Sequence, residues 1–246
     1  MKKDKRSARQ EIPKKEFDKE AWKPKTEIGK KVKSGEIKTI DEILGKGSRI
    51  LESEIVDALL PDLETYLIEI GQSKGKFGGG KRSIWRQTQK KTREGNKPKF
   101  STMIVIGHNG YIGIGRGKAK ETMPAREKAL RQAKLNIIRI VRGCGSWESV
   151  PDNNSIPFKV TGTCGNAEIT LIPAPKGVGL CIEEQCAQML KIAGIKDIYS
   201  KTKGQTKKKI NLISACFDAL KKLSEIKALP QHEKSLGLVK GAIKNG

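Results

Sequence analysis

The sequence predicts an α+β protein in two units, and three observations carry that reading. Asn109-Gly110 lies between two β-rich runs, the strongest short-range hairpin signal, and Gly165-Asn166 lies between two more. A helical pattern with one apolar face comes after each hairpin. The first face holds Ala125, Ala129, Leu130, Ala133 and Ile137, and the later one Ile210, Ile213, Phe217, Leu220 and Leu223. Finally, the charge is segregated: of a net +23 over 246 residues, +16 falls within residues 72–142.

Residues 1–35 are charged and poor in apolar side chains, so they read as an arm ordered only by a partner, with Trp22 and Pro24 as its anchors. Thr39-Ile40-Asp41-Glu42 has capping-box spacing and predicts a short helix. A second helix runs through 54–60 and stops at Pro61, and a third short element covers Leu63–Ile70. This stretch, 34–71, carries −6 and reads as a protein-facing or spacer part. A glycine-rich loop with lysines follows at 71–81.

Residues 82–91 predict a strand, 92–99 a basic loop, and 100–107 and 111–116 the two strands of the first hairpin. Glycines at 113, 115 and 117 leave one face of the last strand bare, so another backbone can pack close. Thr122 and Pro124 mark the start of the helix that completes a β-β-β-α unit. Residues 143–156 read as a linker. The second unit then has a hairpin at 158–172, a Pro-Gly turn at 173–179, a helix at 183–193, a short strand at 195–199 and a helix at 208–224. The last twenty residues read as a basic tail.

Composition narrows the function. No run approaches the roughly 18 apolar residues of a membrane span, and no apolar stretch follows the basic N-terminus, so neither a membrane partner nor a secretory signal is expected. The five cysteines form no CxxC pair and the only histidines are His108 and His232, so no metal is expected. Reduced, mostly buried thiols in a cytoplasmic protein fit better. Gly113–Lys118 resembles a phosphate loop but has Ile112 and Ala119 where a P-loop needs Gly and Ser/Thr. Glu183-Glu184 suit a helix start, and no nucleophile has a base beside it. No cofactor and no enzymatic activity are expected.

The charge therefore points to nucleic acid. Lys90, Lys91, Arg93, Lys97 and Lys99 cluster around the turn at Gly95. Arg116, Lys118 and Lys120 precede the helix start, and Arg126 and Arg142 extend the candidate RNA-binding set. Lysines and arginines beside a helix N-terminus are how a small α/β module grips phosphates across RNA grooves. Trp85 and Phe100 fit the core better than a stacking role.

Several stretches also resemble one family. FSTMIVIGHNGYIGIGRGKAK (100–120), AKLNIIRIVRGCGSWE (133–148), PFKVTGTCGNAEITLIPAPKGVGL (157–180) and AGIKDIYSKTKG (193–204) resemble, in order and spacing, the ribosomal small-subunit protein five family. Trp22–Thr26, Ile40–Ile43 and Glu54–Leu63 are similar to its archaeal branch. The resemblance implies a double-stranded-RNA-binding-like domain over 71–142 and an α/β domain of the family's second type over 157–226. Around them lie an extension (1–70), a linker (143–156) and a tail (227–246). It implies a structural constituent of the small ribosomal subunit that binds rRNA near the decoding region and mRNA entry side, with small-subunit proteins four and eight as neighbours, supporting assembly and accuracy. It places the 93–99 loop, Arg116 and Lys118 on rRNA, and the 173–179 turn by the second domain's packing and RNA contacts.

The chain departs from the family pattern in three places. Asn96-Lys97-Pro98-Lys99 replaces an Arg pair, the 71–81 loop looks inserted, and Ser149 and Asn154 stand where Cys and His are usual. The alternative to a ribosomal subunit is a free regulatory dsRNA-binding module, with an RNA-processing or nucleotide-using enzyme behind it.

Overall fold

The computed structural model describes residues 18–72, 82–146, 153–227 and 237–241. They form an α+β protein of two compact units: the residues up to Ile106 with Gly113–Ile137, and Gly107–Ile112 with the residues from Ile138 on. The predicted 73–81 part of the glycine-rich loop, residues 1–17 of the arm, 147–152 of the linker and most of the tail lie outside the described residues.

Up to Ile137 the chain forms α1 (Glu27–Ser34), α2 (Ile40–Gly45), α3 (Ser53–Leu59), β1 (Glu64–Leu67), β2 (Arg86–Thr92), β3 (Gly95–His108), β4 (Tyr111–Ala119) and α4 (Thr122–Leu135), all in the first unit except the tip 107–112 of the β3–β4 hairpin. The expectation of an arm ordered only by a partner fails for 18–35. Thr26 caps α1 by accepting from the Gly29 amide, Gly35 ends it at φ 84°, and Trp22 is 8% exposed. Few apolar residues are needed, because Lys33 donates to the Trp22 carbonyl (2.6 Å) and Glu52 accepts from the Lys25 and Thr26 amides. The Thr39 capping box is present as predicted.

The short element expected at 63–70, after two predicted helices, is strand β1 over Glu64–Leu67. The sheet runs β1-β3-β4, continues to β5 (Ile137–Arg139), and carries β2 on β3. The helical reading through Ile137 also fails. Asn136 ends α4, and the β-branched Ile137-Ile138 adds a strand.

The bare strand face does what the glycines predict. A Cβ at Gly113, Gly115 or Gly117 would strike the backbone of Ala133, Ala129 or Ala125. These three alanines are fully buried, so α4 lies directly on β4. Arg116 and Lys118, alternating with the glycines, project to the other face.

The second unit comprises the hairpin tip 107–112, β6 (Val141–Arg142), β7 (Val160–Cys164), β8 (Ala167–Pro173), β9 (Leu180–Cys181), α5 (Glu184–Ile192), β10 (Ile198–Gly204), α6 (Lys209–Glu225) and β11 (Val239–Lys240). Its sheet has the order β7-β8-β10-β9, with α6 across β7 and β8. Gly162 meets Ala215 and Ala219 of α6 in the same glycine-on-alanine contact. Glu183 caps α5 by accepting from the Gln185 and Cys186 amides, as the carboxylates at that helix start predict.

Three boundaries differ from expectation. β10 begins and ends later than 195–199, reaching Gly204. Residues 154–156, read as linker, are buried: Ser155 pairs with Gly143, and Asn154 binds Asp197 (2.7 Å). Within the predicted tail, β11 pairs with β6.

Candidate nucleic-acid interface

The predicted basic loop is a β-ribbon. β2 and β3 pair from Arg86↔Ser101 to Thr92↔Gly95, and the chain reverses through Arg93-Glu94. Gly95 takes φ 105°, which is why a glycine follows the turn, and the Thr92 hydroxyl donates to its carbonyl (2.7 Å). Sequence reasoning missed the strand at 95–99 because Asn-Lys-Pro-Lys has low β propensity. Pro98 sits opposite Gln89 within the pairing.

From Arg86 to Lys99 nearly every residue is exposed. A two-stranded hairpin with no buried face is marginal in water by itself. Directly opposed residues share a face, so one face carries Arg86, Lys90, Lys97 and Lys99, and Lys90 stands directly across from Lys97. That like-charge opposition is unfavourable unless an anion lies between them. The salt bridge of Lys97 to Glu94 is exposed and contributes little. Lys91 lies on the other face opposite Asn96, and Arg93 stands at the tip.

Arg116 joins the base of this ribbon. Its Nε donates to the Ser101 hydroxyl (3.4 Å), and Ser101 is the cross-strand partner of Arg86. Lys118 is exposed two residues along β4, and exposed Lys120 lies at the approach to α4. The structure thus brings Lys90, Lys97, Lys99 and Arg116 toward one surface, and adds Arg86. Sequence reading passed over Arg86. Its signal was the i, i+4 spacing to Lys90, visible once 86–92 is read as a strand with period two.

Two predicted residues are placed differently. Arg126, in the first turns of α4, is half-buried, its Nε and Nη2 are covered, and burial lowers its pKa. Arg142 is 1% exposed. Its Nη1 donates to Asn109 Oδ1 (2.6 Å) and its Nη2 to the Gly241 carbonyl (2.8 Å). Burial lowers its pKa, and the Tyr111 hydroxyl partly opposes this. Its position on β6 gives Arg142 an internal role, not a place on the surface.

No group of three or more His, Cys, Asp or Glu side chains able to hold a metal occurs among the described residues. No described helix is long and apolar enough to cross a membrane. Three of the five free cysteines are buried.

Two family models match this chain. The ribosomal protein S5 N-terminal domain matches residues 84–141, from the foot of the ribbon through β5, and the S5 C-terminal domain matches 162–233. The chain belongs to the ribosomal protein S5 family. Full-length S5 relatives agree. The small ribosomal subunit protein uS5 of Nanoarchaeum equitans is 44% identical over 228 residues, 92% of this chain and 98% of that protein. The uS5 protein of Methanocaldococcus jannaschii is 44% identical over 92% of this chain and 99% of its own length. That of Methanothermobacter thermautotrophicus is 43% identical over 90% and 97%. The S5 assignment accords with the motifs at 100–120, 133–148, 157–180 and 193–204, and with an archaeal branch.

Proposed function

We propose that this chain is a structural constituent of the small ribosomal subunit, in the cytoplasmic ribosome, and that its β2–β3 ribbon and the adjoining end of β4 bind ribosomal RNA. The observation that carries the RNA reading is the ribbon, exposed on both faces, with Lys90 opposed to Lys97 and Arg86, Lys99 and Arg116 beside them. Unbound, such an element is poorly supported; against phosphates the same charges become its attachment. In this reading 71–142 is a dsRNA-binding-like domain, and Lys91, Arg93, Lys118 and Lys120 extend its phosphate contacts. In this reading, which the family resemblance supports, the bound rRNA lies near the decoding region and mRNA entry side, small-subunit proteins four and eight are neighbours, and assembly and accuracy are the processes served.

Two measurements test this. The cellular protein should co-sediment with the small subunit, and a free pool without subunit-bound protein would overturn the reading. Neutralising Lys90, Lys91, Arg93 and Lys97 together should lower the slope of log K against log salt for rRNA binding by roughly 0.7–0.9 for each phosphate no longer neutralised. An unchanged slope would remove the ribbon from the interface.

A further inference from the structure

A second basic surface lies in the other unit. Between 196 and 209 the sequence has six lysines and one aspartate. Strand β10 runs through this stretch, and of its seven residues only Ile198 is buried. Its pairing with β8 puts Tyr199, Lys201 and Lys203 opposite Ile172, Thr170 and Glu168. Tyr199, Lys201 and Lys203 therefore share one face. β9 covers only Ile198 and Tyr199, and among the described residues no strand pairs with that edge of β10 beyond them.

We infer that the outer face of β10 is a separate RNA-binding surface, on which Lys201 and Lys203 hold consecutive phosphates of an unpaired strand and Tyr199 stacks one of its bases. The lysines stand two strand residues apart, roughly 6.6 Å, the scale of neighbouring phosphates along one RNA chain. Lys207 and Lys208, exposed just beyond the strand, continue the positive potential. Among the described strand residues on this face the one acid is Glu168, which reaches Lys203 at 3.8 Å with both groups exposed, a contact too weak to cancel the charge. Edge lysines also guard a strand against unwanted pairing. Guarding does not account for Tyr199, an aromatic ring 42% exposed in line with them. Phosphate-spaced cations with an aromatic platform on an open sheet face are what an unpaired RNA strand requires.

This inference rests on the chain being an rRNA-binding protein. Its test uses the full chain and a full-length archaeal small-subunit rRNA transcript, with filter binding across a salt series and hydroxyl-radical footprinting. The K201Q/K203Q double variant should lower the salt slope by about 1.4, at ~0.7 per phosphate of a single strand. It should also expose a stretch of rRNA distinct from the one exposed by the ribbon variants. Tyr199→Ala should weaken binding roughly 5- to 150-fold, while Tyr199→Phe should hold affinity near wild type, since stacking needs the ring and not the hydroxyl. All these positions are exposed, so the fold should survive, as circular dichroism would verify. Wild-type binding with an unchanged slope and footprint in K201Q/K203Q, and Tyr199→Ala within twofold, would overturn this inference alone. Absence of wild-type rRNA binding would overturn the underlying reading with it.

Discussion

At Glu52 a single carboxylate joins two chain segments. It accepts from the Lys25 amide (2.8 Å) and the Thr26 amide (2.5 Å), 27 and 26 residues away, while sitting just ahead of α3. Burial pushes its carboxyl up, but hydrogen bonds from the Thr26 and Lys25 amides and from the Thr26 and Trp22 side chains together hold it below its ordinary value. A carboxyl depressed in the folded state stabilises the fold above its unfolded pKa. That contribution is lost as pH falls through the folded pKa. Glu52→Gln should therefore cost on the order of 1.5–3 kcal/mol near neutral pH, the range for hydrogen bonds to a charged acceptor. The gap from wild type should narrow in acid, where both side chains are neutral. Urea unfolding at the two pH values measures this, and an equal gap at both would show that the charge on Glu52 is not what matters. Nothing in the local sequence links Glu52 to Thr26. Composition made 18–35 look like a loose arm because the interactions holding it are polar and distant in sequence.

Among the elements, two glycines separate a folding role from a binding role. Gly115 lies beneath α4, and a methyl group there would meet the Ala129 carbonyl and the Ala133 amide. Gly115→Ala should lower stability by about 1–3 kcal/mol through overpacking, read as a lower denaturant midpoint. Gly95 has open space around it but φ 105°. Gly95→Ala should leave the midpoint near wild type and fray the turn of the ribbon, weakening rRNA binding. A matching fall in midpoint would show that the ribbon belongs to the cooperative core. The Gly115 contact was legible in the sequence, because glycines at period two on a strand and alanines at period four on a helix announce each other. So were both hairpins, whose turns need only local chemistry. The ribbon was legible only as charge. Its pairing follows from register across Gly95, and its second strand lacks β-formers. The end of α4 was misread because Ile137 fits a helical stripe and a buried strand equally well, and only pairing with β4 decides between them.

For the whole molecule, a net +23 describes a partner without saying which cations meet it. Arg142 counted toward the basic segment by sequence, yet it ties three distant parts of the second unit together. Asn109 at the hairpin tip accepts from its Nη1, the Gly241 carbonyl accepts from its Nη2, and β6, which bears it, pairs with β11. The same tip is held at Gly110, whose amide donates to the Ala193 carbonyl (3.1 Å) and whose carbonyl accepts from the Ile140 amide (2.8 Å). A buried cation with fixed internal acceptors stabilises the fold and releases no counterions on RNA binding. The surface lysines do the reverse. Arg142→Met keeps most of the apolar stem but leaves the Asn109 and Gly241 oxygens without their donor. It should cost on the order of 3 kcal/mol in unfolding free energy. Measured well below its lowered midpoint, the variant should keep the wild-type salt slope for rRNA, whereas the Lys90/Lys91/Arg93/Lys97 variant should keep the midpoint and lose slope. If Arg142→Met instead lowers the slope at unchanged stability, the guanidinium reaches phosphate in the complex and the internal assignment fails.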